Sequence, residues 1–149
     1  MRIPNEFRGF SRKRGCDLYV TACDLDTAER ETFGPDERND ITISEAVQAS
    51  TALPLFYKPA RIKGVDYVDG GVRRTANIDL AIEKGCDLII CYNPFRPFLN
   101  RIDAEGGDTP YFANGRYLAD RGMKMVLNQV FRTLLHSRLK LGLQRYLTD

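Results

Sequence analysis

The sequence predicts an α/β layered domain with a mainly parallel sheet, and three observations carry that expectation. Apolar runs rich in β-branched residues, DLYVTACDL and CDLIICY, have the make-up of buried strands. Segments of helical period, ITISEAVQAST and NIDLAIEKG, lie between strand-like runs. Strand, helix and strand therefore succeed one another, the order that layered α/β domains follow. At 149 residues, 43% apolar and 28% charged, the chain has the composition of an ordinary globular protein with one core.

Taken in order, DLYVTACDL is the first strand, DLDTAER a turn, and ETF a short returning strand. In ITISEAVQAST, Thr42 and Glu45 have the spacing of a capping box, and Ala46, Val47, Ala49 and Ser50 give a small-faced helix. That helix must stop before Pro54 and packs closely on a sheet. PARIKGVDYVDGG reads as a hairpin turning near Lys63 and Gly64, with Tyr67 to Asp69 in its second arm. Ile78, Ala81 and Ile82 mark a helix face, Gly85 its stop, and CDLIICY a continuous apolar strand. Residues 93–115 hold Pro, Gly and Asn with aromatics, the make-up of a long loop or lid with aromatic anchors. From Tyr117 to Tyr146 the pattern is helical, with Leu, Val and Phe interleaved by Arg and Lys and weakened at Gly142.

Charge is uneven. Residues 116–149 hold seven Lys or Arg against two acids, net +5, so with +2 overall the first 115 residues carry −3. No run approaches the roughly 18 apolar residues of a membrane span, and the first residues lack the apolar stretch of a secretory signal. A cytoplasmic or peripheral membrane protein is expected. Cys16, Cys23, Cys86 and Cys91 form no C-x-x-C pair and have no histidines at zinc-ligand spacing, so buried reduced thiols and no metal are expected. His136, the single histidine, stands beside Leu134 and Leu135 in the basic helix, where a core or surface position is a plainer reading than catalysis. Basic segments without a nucleic-acid module or stacking aromatics point to a solvated face, not to nucleic acid.

Asp69 closes an apolar run and is followed by Gly70 and Gly71, which let the backbone turn or approach another group closely. A carboxylate at a strand end before glycines is a rigidly held group with room for a partner.

The pieces LYVTACDLDTAE, ISEAVQASTALP, PARIKGVDYVDGGV and AIEKGCDLIICY, in this order, resemble the C-terminal half of a patatin-like phospholipase domain over roughly residues 17–92. The resemblance implies a three-layer α/β/α acyl-hydrolase fold, present in part, over residues 1–92, then a loop or lid (93–115) and a basic amphipathic helical tail (116–149). It also implies lipid or phospholipid esters as substrates, no cofactor, and a Ser-Asp dyad in which Asp69, supported by Gly70 and Gly71, assists deprotonation of a serine. A hydroxyl attacks an ester poorly unless a base stands within hydrogen-bond reach of its proton.

The chain departs from that pattern at the nucleophile. Ser11, Ser44, Ser50 and Ser137 are its serines; none lies in G-x-S-x-G, and there is no Gly-rich run for an oxyanion hole. Ser50 matches a helix-borne serine of the family pattern that reads as structural. Both missing elements are expected ahead of residue 1, making the chain the distal part of a larger enzyme with half a dyad. An inactive lipid- or partner-binding module is the alternative. A remoter one is a Mg²⁺-dependent haloacid-dehalogenase-like phosphotransferase starting at Asp24 in DLDT, against which a turn held by Asp side chains is the simpler reading. The tail's Leu face suits docking on the domain or a partner subunit, or contact with an anionic lipid surface.

Overall fold

A computed structural model describes residues 3–74, 76–94, 96–99 and 117–147. The chain divides into two compact units, Met1–Ile90 and Cys91–Asp149.

The first unit opens with helix α1 (Phe7–Arg14), ended by Gly15 at φ 67°, and continues into β1 (Val20–Asp24) and β2 (Arg30–Phe33). Their turn is fastened by Asp24, whose Oδ1 accepts from the backbone N–H groups of Asp26 (2.9 Å) and Thr27 (3.3 Å). Helix α2 (Ile43–Ser50) carries the full capping box. Thr42 Oγ1 accepts from Glu45 N at 3.2 Å, and Glu45 Oε2 accepts from Thr42 N at 2.8 Å. Ala46 and Ala49 are fully buried where α2 packs on β1, β3 and β4, and their lack of side-chain bulk permits that approach.

Strands β3 (Ala60–Ile62) and β4 (Val65–Asp69) form the expected hairpin. Lys63 and Gly64 both have positive φ, 51° and 84°, the requirement of a two-residue turn that matches strand twist. Helix α3 (Ile78–Glu83) follows, with Gly85 at φ 75° behind it. Leu80 is its buried residue while Ile82 is exposed, so the apolar face expected at Ile78, Ala81 and Ile82 is rotated.

The four strands lie in the order β2-β1-β4-β3, and every pairing is antiparallel. The expectation of a mainly parallel sheet is thereby corrected. Two hairpins supply four strands, and they join through β1 and β4 running in opposite senses, with Ala22 opposite Asp69. Central β1 is buried at Thr21, Ala22 and Cys23 in succession. One face holds a core of Phe7, Phe33, Ile41, Ile62 and Tyr67 with the α2 alanines. The Phe33 and Tyr67 rings meet edge to face at 5.7 Å, and Arg38 donates to the Tyr67 hydroxyl at 2.6 Å.

CDLIICY is not a strand: residues 86–92 join no strand pairing among the described residues, and Ile90 and Tyr92 are 86% and 87% exposed. An apolar run becomes a buried strand only where a neighbour satisfies its backbone, and the antiparallel sheet offers none there. Cys86 and Cys91 are exposed for the same reason, as is Cys16; only Cys23 is the buried thiol expected of all four.

In the second unit a short 3₁₀ turn (Leu118–Arg121) precedes helix α4 (Met123–Leu147), which runs through Gly142 without a break. Leu135 and Leu139 are buried on one side of it. Gln129 exchanges two hydrogen bonds with the backbone of Phe98, at 2.9 and 2.8 Å, and the Arg132 guanidinium lies 4.4 Å from the Phe98 ring centre. Phe98 is thus held against α4, whereas residues 100–115, most of the expected loop or lid of 93–115, lie outside the described residues.

Candidate active site

β4 delivers Asp69 to the end of the sheet, where a single 3₁₀ turn, Gly70–Val72, begins. Asp69 caps that turn: its Oδ1 accepts from Gly71 N at 2.7 Å, and its own N–H donates to the Ala52 carbonyl, just past α2, at 3.1 Å. The carboxylate is half-buried, and burial pushes its pKa above the usual carboxylate value, against the smaller opposing effect of the Gly71 N–H. Among the described residues no ion pair relieves it, and the neighbouring arginines are engaged elsewhere: Arg73 with Glu29 at 3.8 Å and Arg74 with Asp79.

Gly70 cannot be another residue without movement. A β-carbon there would lie 2.6 Å from Thr21 Oγ1 and 2.7 Å from the Thr21 carbonyl oxygen. Extending the β1–β4 ladder by one residue sets Gly70 against Thr21, so the missing side chain lets the acid-bearing turn press on the central strand. Gly71 serves through its backbone N–H.

The sequence reading missed Asn77. Its Nδ2 donates to Thr21 Oγ1 at 2.8 Å, and its Oδ1 is buried without a partner among the described residues. Asn77 (φ 46°) and Ala76 (φ 74°) both lie in the left-handed region, where Asn is tolerated better than most residues. The loop after Asp69 therefore returns to the same threonine that Gly70 contacts. Asp79, in the first turn of α3, pins this loop further through Arg30 of β2 at 2.7 Å and through Arg74. Asparagine near a D-G-G segment was the available signal, but its partner lies 56 residues away in sequence.

Asp24 is committed to its turn, and no three His, Cys, Asp or Glu side chains come together as a metal cage among the described residues. Ser11 donates to the Phe7 carbonyl one turn back, Ser44 donates to the side chain of Asn5 from the start of α2, Ser50 ends α2, and Ser137 belongs to α4. His136 also belongs to α4, with Nδ1 buried and without a partner among the described residues. What the site offers is a desolvated carboxylate on a turn fixed to the central strand, without an ion-pair partner among the described residues, a group suited to accept a proton.

Comparison with known families matches residues 3–82 to Patatin, the patatin-like phospholipases. The match takes in β1, α2, the β3–β4 hairpin and the Asp69 turn, more than half of the sequence, and the chain belongs to the patatin-like phospholipase family.

Proposed function

We propose that this chain contributes the acid of a lipid acyl-ester hydrolase of phospholipase or lysophospholipase type, with Asp69 accepting or orienting the proton of a serine that residues 1–149 do not supply in G-x-S-x-G form. The observation that carries the reading is the state of Asp69: half-buried, raised in pKa, and held by one backbone N–H on a turn fixed to the central strand. A base is most effective when its pKa approaches the working pH, and burial moves a carboxylate in that direction. In the reaction the serine oxygen attacks the ester carbonyl as its proton passes toward Asp69. That proton is returned to the departing alcohol as its bond to the acyl carbon breaks, and water deprotonated in the same way then hydrolyses the acyl-enzyme to free fatty acid and the restored serine.

A second reading, a patatin-like module that binds lipid or a partner without turnover, is favoured by the absence of G-x-S-x-G from the sequence. The two separate in one experiment. In a longer protein that joins this chain to a G-x-S-x-G segment, Asp69→Asn should lower kcat on a phospholipid or p-nitrophenyl ester about 10² to 10⁴-fold with the fold retained. Near-normal kcat defeats the dyad. The 149-residue chain by itself should release no p-nitrophenol above background, and turnover blocked by a fluorophosphonate would overturn that expectation.

A further inference from the structure

Helix α4 is apolar on two sides. Leu135 and Leu139 are buried, whereas Leu127, Val130, Leu134 and Leu141 are exposed, Leu134 by 59% and Leu141 by 64%. The exposed four recur at intervals of three, four and seven residues, so they form one narrow stripe along the helix, and exposed Met123 extends it. Exposed Lys124 and Arg138 border the stripe on one side and exposed Lys140 on the other. Between Met123 and Leu147 the sequence holds five Lys or Arg and no acid.

From this pattern we infer that the exposed stripe of α4 is a docking surface for an anionic lipid surface. A second copy of the helix is the poorer occupant. Paired along this seam, helices would bring Lys124 and Lys140 against cations of the other copy, and the sequence from Met123 to Leu147 holds no acid to answer them. A negatively charged bilayer surface complements the same pattern: the leucines enter the headgroup boundary while the Lys and Arg stems lie along it and their charges reach the phosphates. No helix of the described residues is long and apolar enough to cross a membrane, so α4 lies along the interface. The contact is independent of the role of Asp69, because binding is read without turnover.

The test uses the 149-residue chain with two sets of vesicles, phosphatidylcholine alone and phosphatidylcholine with phosphatidylglycerol at about two parts to one. The chain should sediment with the anionic vesicles and be released as salt is raised, since attraction to the surface fades within a Debye length. Replacing Lys124 and Lys140 by Gln should weaken binding about five-fold per charge, and replacing both by Arg should preserve it. L134Q/L141Q should lose most binding with helix content by circular dichroism unchanged, as both side chains are exposed. Equal sedimentation with both vesicle types, sedimentation with neither, or a salt-stable dimer that L134Q/L141Q dissociates would overturn the inference.

Discussion

The side-chain amide of Asn77 holds the hydroxyl of Thr21 at 2.8 Å, closing the loop that starts at Asp69 onto the strand beside it. The consequence for catalysis is positional. In a longer protein with a G-x-S-x-G segment, Asn77→Ala and Thr21→Val should each lower kcat about tenfold to a hundredfold with KM little changed, since a misplacement on the order of 1 Å costs that much. The double variant should lose little more than either single one, because both remove the same bond. Fully additive losses would count against this linkage.

Gly70→Ala should destabilise the first unit by roughly 1 to 3 kcal/mol, the cost of overpacking. The obstructing atoms include the Thr21 carbonyl, which belongs to the central strand and cannot swing aside. Urea titration of the variant checks the size, and an unchanged midpoint would show that the turn yields.

Asp69→Asn should raise stability at neutral pH while it lowers turnover. The unfolded carboxyl titrates near 3.8 and the folded one higher, so the folded state binds the proton more tightly. Stability conferred by the protonated acid is therefore full below the unfolded value and is lost as pH rises through the folded one. Asn, always neutral, escapes that loss. Thermal melts from pH 3 to 7, values on the order of the carboxyl range, should show the variant's advantage growing with pH; an advantage greatest in acid would reverse the sign.

Thr42→Ala should cost about 0.5 to 2 kcal/mol through loss of the α2 cap. Glu45 responds as well: the backbone N–H and hydroxyl of Thr42 hold its carboxyl below its ordinary value. In the variant that carboxyl should titrate closer to an unperturbed glutamate, as NMR of the side chain would show. An unmoved titration would mean that the Thr42 hydroxyl contributes nothing to Glu45 and that the backbone N–H alone holds its carboxyl down.

The features read correctly from sequence are those whose causes are local. Thr42 and Glu45 signal the start of α2, Pro54 limits its end, Lys63-Gly64 marks a hairpin, and Asp69-Gly70-Gly71 a tight turn bearing an acid. What failed depended on partners. CDLIICY has the composition of a core strand, but strand formation is a property of two chains of hydrogen bonds, and no strand pairs with it among the described residues. The antiparallel sheet was hidden similarly, because the join of β1 to β4 is set by pairing across more than 40 residues. Asn77 stayed invisible because its partner is remote and its left-handed backbone leaves no mark on composition.

Exposed Leu88, Ile90 and Tyr92 fall at every second position of a segment whose sole charge is Asp87. Such a segment is adhesive toward its own kind: copies stacked side by side satisfy one another's backbone groups and hide the apolar side chains. Asp87 is its gatekeeper, placing like charges in register whenever copies align. Colloidal behaviour of the chain is therefore governed by concentration and by that one charge, whose removal leaves neighbouring copies nothing to hold them apart.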